Sequence, residues 1–141
     1  MKYIMQVTAD SNDTYLVTFP AIPFAHTVSD SVTPPYGVVL DALITAFEIY
    51  TSQRKPIPMP PKVKKVQATD QVFVMPLLVT IKVLLWNEML AQRLRKSDLS
   101  ERLYAFPVAI DRLFDFRHAT QIDFMERAAR ALNSKFTIAL V

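Results

Sequence analysis

Lys96-Ser-Asp-Leu-Ser-Glu-Arg-Leu103, Tyr104-Ala-Phe106 and Pro107-Val-Ala-Ile-Asp-Arg-Leu113 follow one another without interruption, and their reading decides the fold of the second half of the chain. Leu99, Leu103, Ile110 and Leu113 fall at helical spacing on either side of a three-residue break. Pro107 suits a first helical turn, where its missing N–H costs nothing. Two short helices that share one apolar core across a brief turn are the elements of a helix-turn-helix module.

Working outward, Pro76 is followed by Leu77, Leu78, Ile81, Leu84, Leu85, Met89 and Leu90, which predict a preceding helix with Lys82, Asn87 and Glu88 on its outer face. The third helix is read over Pro107 to Phe116 and a fourth over Gln121 to Leu132. Thr120-Gln-Ile-Asp123 has the spacing of a capping box, and Asn133 can close the helix in the left-handed conformation. Lys135 to Val141 then alternates and predicts a terminal strand. A strand without a ladder partner is a liability unless another chain pairs with it. The reading is therefore a homodimer or higher homo-oligomer, with Phe136, Ile138 and Leu140 as dimerisation residues.

The first half follows a different period. A short strand from Met1, a turn at Asp10, Ser11, Asn12 and Asp13, and a second strand at Tyr15 to Phe19 make a hairpin. Asn and Asp tolerate the positive φ of such a turn, which matters in a chain with a single glycine. Pro20 and Pro23 break the pattern before a third strand at Ala25 to Val28. Pro34 and Pro35, with Ser31 or Thr33 as cap, then open a helix whose face is Val39, Leu40, Leu43, Ile44, Phe47 and Tyr50. A further strand is expected near residues 72–75. Between helix and strand, Pro56, Pro58, Pro60 and Pro61 and the basic run Lys62, Lys64 and Lys65 favour extended polyproline II. The expected organisation is α+β: a β-β-β-α-β domain over residues 1–54 plus the 72–75 strand, a linker over 55–71, and a four-helix domain with a terminal strand over 76–141.

Composition narrows the function. A chain of 141 residues holds one ordinary core or two small ones. It has no cysteine, so disulfides and thiolate metal sites are excluded, and a reducing cytoplasm is the expected setting. The N-terminal stretch lacks an apolar signal region and no run of about eighteen apolar residues occurs, so neither secretion nor membrane insertion is expected. Residues 1–70 carry 6 Lys+Arg against 6 Asp+Glu and residues 71–141 carry 10 against 7, so the whole excess of +3 lies in the second half. That is the sign of a half that meets phosphate.

Catalytic patterns are absent. His26 and His118 have no partner at metal-ligand spacing, one glycine cannot build a phosphate loop, and no nucleophile elbow exists. Asp10, Asp13, Asp30 and Asp41 as a metal-binding carboxylate cluster would make a nuclease, but Asp10 and Asp13 are better explained as turn residues. The reading is no enzyme, no metal and no cofactor. In the helix-turn-helix, Arg117, His118 and Thr120 stand just ahead of the last helix, where a backbone phosphate can be gripped. Lys96, Ser97, Arg102 and Arg112 are further DNA-binding candidates. Val108 and Ala109 can meet a thymine methyl, while Arg112 carries most of any direct base readout.

The residues also carry a resemblance. Tyr15-Leu-Val-Thr-Phe-Pro-Ala-Ile-Pro23, Leu40-Asp-Ala-Leu-Ile-Thr-Ala-Phe47 and Pro56-Ile-Pro-Met-Pro60 are similar to successive signatures of the HicB family of antitoxins. Pro76-Leu-Leu-Val-Thr-Ile-Lys-Val-Leu-Leu-Trp-Asn87 and Arg112-Leu-Phe-Asp-Phe-Arg-His-Ala-Thr-Gln-Ile-Asp123 resemble the helix-turn-helix end of its longer members, in the same order. Ala21 stands where the family usually has an acid, and Ser29, Tyr104 and Asn133 where it usually has glycine. The resemblance implies a partial ribonuclease-H-like first domain that binds a HicA-like mRNA-cleaving toxin, with Phe19, Ile22, Phe24 and Tyr36 as partner-binding residues. It also implies a second domain that binds operator DNA. The alternative is a stand-alone transcriptional repressor whose first domain senses something else.

Overall fold

A computed structural model describes residues 1–62 and 70–141, and the chain divides into two compact units, Met1–Pro76 and Leu77–Val141. In the first unit β1 (Lys2–Ala9), β2 (Tyr15–Thr18), β3 (His26–Ser29) and β4 (Gln71–Val74) form an antiparallel sheet in the order β3-β2-β1-β4, with α1 (Tyr36–Ser52) between β3 and β4 in sequence. The β1–β2 turn is the one the sequence predicts. Asn12 and Asp13 sit at φ 64 and 59, and the Asp10 N–H donates to the Thr14 carbonyl at 2.8 Å.

Alternation along the strands sends Tyr3, Met5, Val17 and Phe73 to one face, where they are buried with Val39, Leu43, Phe47 and Tyr50 of α1. The Tyr3 and Phe47 ring centroids are 6.1 Å apart. The opposite face leaves Val28, Val72 and Val74 exposed. α1 begins one residue after Pro35, and no side chain caps it. Ser31 and Thr33, the expected caps, are instead paired in the preceding loop, where the Ser31 hydroxyl accepts from the Thr33 N–H at 3.1 Å.

The proline segment holds no helix or strand where it is described, and it belongs to the first unit rather than standing apart as a linker. Ile57 is fully buried, and the Tyr3 hydroxyl donates to the Pro58 carbonyl at 2.9 Å. Burial raises the Tyr3 phenol above its ordinary range, with Tyr50 adding to the effect. The basic pair Lys64 and Lys65 lies outside the described residues.

In the second unit α2 (Leu77–Ala91), α3 (Lys96–Leu103), α4 (Pro107–Leu113) and α5 (Ile122–Ala131) enclose a core of Val83, Trp86, Met89, Leu99, Leu103, Ile110, Leu113, Met125 and Ala128. Trp86 meets Phe114 edge-on at 5.3 Å between centroids. The predicted face of α2 needs correction. Leu77 and Leu84 are exposed, whereas Lys82, expected on the outer face, is 0% exposed. α2 is apolar almost all round, so spacing alone does not say which side faces inward.

Four helices end in the same way. Arg54, Arg93, Tyr104 and Asn133, at φ 52, 58, 51 and 56, follow α1, α2, α3 and α5 in the left-handed region. Each lies inside the paired hydrogen bonds of a Schellman motif, such as Ala105 N–H to the Ser100 carbonyl and Tyr104 N–H to that of Glu101. Glycine normally supplies this conformation, and the one glycine of the chain, Gly37, sits in α1. For a bulky residue the left-handed region costs roughly 1 kcal/mol or more.

Two further expectations change at the C-terminal end. Thr120 does not cap α5; Gln121 occupies that position with no side-chain bond, because the Thr120 hydroxyl is turned inward. Residues 135–141 form no strand, since a strand requires a ladder partner and none exists among the described residues of a single chain. Ile138 and Leu140 are exposed, and Phe136 is half-buried.

Candidate functional site

The surface around α3, α4 and the loop to α5 is organised by the buried Lys82. Its ammonium donates to the Asp115 carbonyl at 2.6 Å, to Thr120 Oγ1 at 2.8 Å and to the Arg112 carbonyl at 3.0 Å. Thr120 Oγ1 also lies 3.0 Å from His118 Nδ1. One side chain from α2 thus fixes the end of α4 and both ends of the loop that carries Arg117 and His118. Burial pushes the Lys82 ammonium down to about 8, against an opposing pull from the Asp115 carboxylate. Three oxygen acceptors satisfy the charge that burial would otherwise expel.

Around this node Ala109, Arg112, His118, Thr120, Gln121 and Phe124 line one groove, with Arg112 exposed. Lys96, Ser97, Ser100, Pro107 and Asp111 line a second groove, where Lys96 Nζ is 3.2 Å from Asp111 Oδ1 in a partly exposed ion pair that contributes little stability. Arg102 is directed elsewhere, its Nη1 donating to the Ala131 carbonyl at the end of α5 at 2.9 Å. Arg117 is exposed, with its backbone N–H on Asp115 Oδ1 at 3.0 Å. The structure therefore brings Ala109, Arg112, His118 and Thr120 together, places Lys96 and Ser97 in a second groove with Pro107 of α4, and leaves Arg102 outside both. Val108 is exposed next to Ala109.

In the first unit the four predicted partner-binding residues separate into two pairs. Phe19 and Ile22 are core residues, because the loop after β2 folds back with the Ile22 N–H on the Phe19 carbonyl at 3.0 Å, so their side chains are not presented to solvent. Phe24 and Tyr36 are exposed. The Phe24 ring lies 4.9 Å from Tyr50, and Tyr36 stacks on Phe73 at 4.8 Å.

Among the described residues no group of three or more His, Cys, Asp or Glu side chains could hold a metal ion. No helix there is long and apolar enough to cross a membrane. What the surface offers is contact chemistry: cations, hydroxyls and apolar side chains held on short helices. Sequence reasoning missed Lys82, although one charge amid the otherwise uncharged run Leu77–Asn87 was a signal that it needed partners.

Comparison with known proteins agrees across both units. Residues 2–84 match the family described as "HicB_like antitoxin of bacterial toxin-antitoxin system". The chain is 36% identical over 140 residues to Antitoxin HicB 1 of Photorhabdus laumondii, covering 99% of this chain and 87% of that relative. It is 33% identical over 141 residues to Antitoxin HicB of Escherichia coli K12, covering both chains completely. Antitoxin HicB of Pseudomonas fluorescens is 30% identical over 139 residues, covering 99% of this chain and 93% of the relative.

Proposed function

The chain belongs to the HicB-like family of bacterial antitoxins, regulatory proteins rather than enzymes that act on a toxin partner, and from that premise we propose a division of labour between its two units. The first unit, with a partial ribonuclease-H-like fold, holds a HicA-like, mRNA-cleaving toxin inactive in the cytoplasm. The second, a helix-turn-helix module, binds the operator of its own operon as a dimer. The observation that carries this reading is that likeness to the antitoxins runs the whole length of the chain, so both units belong to the relationship.

The first unit supports toxin binding by what it exposes. Val28 on β3 and Val72 and Val74 on β4 lie on the face of the sheet turned away from α1, and Phe24 and Tyr36 add aromatic surface. Exposed apolar area of this kind marks a protein contact. In the second unit Arg112, His118 and Thr120 share a groove beside α4, consistent with phosphate contacts that position a helix in the major groove. The exposed Ile138 and Leu140 supply a terminal segment able to pair with its copy in a second subunit.

Co-expression with the small reading frame beside the gene tests the proposal. Growth arrest by the small protein alone, and its relief by the full chain, is the expected outcome. A neighbour whose arrest is not relieved overturns it.

A further inference from the structure

His118 lines the groove beside Arg112, and which of its ring nitrogens carries the hydrogen decides what it can bind there. A phosphate oxygen only accepts hydrogen bonds, so the ring serves it as a donor and repels it as an acceptor. The groove suits an anion in other respects. Among the described residues no carboxylate lines it, whereas the groove of Lys96 contains Glu101 and Asp111 and has its one lysine paired with Asp111.

The hydrogen bonds beneath the groove fix the answer. A lysine ammonium has only donors, so Thr120 Oγ1 accepts from Lys82 at 2.8 Å. The threonine keeps one hydrogen of its own, with two acceptors in range: the Arg112 carbonyl at 3.3 Å and His118 Nδ1 at 3.0 Å. That carbonyl already receives the Lys82 ammonium at 3.0 Å and the Asp115 N–H at 3.3 Å, which fill its two lone pairs. The threonine hydrogen therefore goes to Nδ1. A neutral imidazole that accepts at one nitrogen carries its hydrogen on the other, so His118 is held with hydrogen on Nε2. The backbone keeps the residue in place, because the His118 N–H donates at 3.1 Å to the same Asp115 carbonyl that takes Lys82.

We infer that Lys82 is a positioning residue that, through Thr120, sets the His118 tautomer so that Nε2–H joins the Arg112 guanidinium as a donor to a backbone phosphate of the operator. This rests on the DNA-binding part of the proposed function and adds to it the tautomer that binding requires and the buried residue that imposes it. Lys82 does not meet the ligand. It occupies the Arg112 carbonyl and so directs the threonine hydrogen to the histidine. Without the ammonium that carbonyl accepts from the Thr120 hydroxyl, the threonine oxygen accepts from Nδ1–H, and Nε2 turns from donor to acceptor.

Two readouts on the full-length chain test this. Long-range proton–nitrogen NMR of the neutral imidazoles reports the tautomer, with His118→Ala separating the signals of His118 from those of His26. Wild type is expected to carry the hydrogen on Nε2, and Lys82→Met on Nδ1. Gel shift with the duplex immediately upstream of the gene reports binding, at a temperature where Trp86 fluorescence shows every variant folded. Lys82→Met and His118→Ala are each expected to weaken binding by about tenfold or more, the lower end for a hydrogen bond to a charged group. The double variant is expected to bind no more weakly than His118→Ala alone. Hydrogen on Nδ1 in wild type overturns the inference, and that measurement stands even if Lys82→Met does not fold. An unchanged tautomer in Lys82→Met, or losses that add in the double variant, also overturns it and leaves Lys82 as a stabiliser of the unit alone. A wild type that shows the expected tautomer and binds no duplex overturns the repressor reading, and the phosphate assignment with it.

Discussion

Lys82→Met removes one charge from the second unit and nearly nothing from its volume. Methionine keeps an unbranched stem beside the buried Trp86 and Val83, so the perturbation is confined to the ammonium. The carbonyls of Arg112 and Asp115 lose their charged donor and keep only the Asp115 N–H and Thr120 hydroxyl, both at 3.3 Å, and the His118 N–H at 3.1 Å, while Thr120 Oγ1 keeps His118 Nδ1 at 3.0 Å. A hydrogen bond to a charged group contributes about 1.5–3 kcal/mol, so losing the two from the ammonium to these carbonyls gives roughly 3–6 kcal/mol. Relief from burying a charge offsets part of this, which leaves a net loss of about 2–3 kcal/mol. Trp86 is the only tryptophan, is buried, and lies one helical turn from Lys82, so its fluorescence in a urea titration reports on the affected unit. The expected result is a lower midpoint with an unchanged slope. A variant as stable as wild type would refute the reasoning, since it would mean that the remaining N–H and hydroxyl donors hold the loop as well as the ammonium does.

Three further outcomes follow from the same geometry. Tyr104→Gly relieves a left-handed tyrosine that is 98% exposed, and should raise the unfolding free energy from a urea titration by about 1 kcal/mol; a decrease would show that the ring contributes packing in the folded state. Ile57→Ala should cost about 2–4 kcal/mol in a chemical melt of the first unit followed by circular dichroism, whereas a free connector would lose almost nothing. Between pH 8 and 10.5 the unfolded chain keeps on Lys82 a proton that the folded chain releases, so wild type should gain stability relative to Lys82→Met as pH rises through that window; a difference independent of pH would contradict the lowered value.

How far the fold was legible depended on whether local chemistry or packing decided each element. The β1–β2 turn was readable because Asp10, Asn12 and Asp13 leave few alternatives, and Asn133 because asparagine tolerates the left-handed region that ends α5. α3 was readable at both ends from the spacing of Leu99 and Leu103. The inner face of α2 was not, because apolar residues surround it and only tertiary contacts choose a side. Lys82 illustrates the limit. Its residue type argues for solvent, and three oxygens supplied by residues 112, 115 and 120 override it. The same contacts explain why Thr120 is not a cap despite its favourable spacing. Phe19 and Ile22, taken from the resemblance as partner-binding residues, are buried: Pro20 and Pro23 signal only a break in the strand and do not say that the chain folds back and covers both side chains.

The measurement that bears most directly on the proposed function is the RNA-cleaving activity of the purified small neighbour, titrated with the full-length chain. Cleavage is expected to fall to background near one chain per toxin molecule, with the two proteins co-eluting on size exclusion. Undiminished cleavage in the presence of excess chain would contradict toxin inhibition.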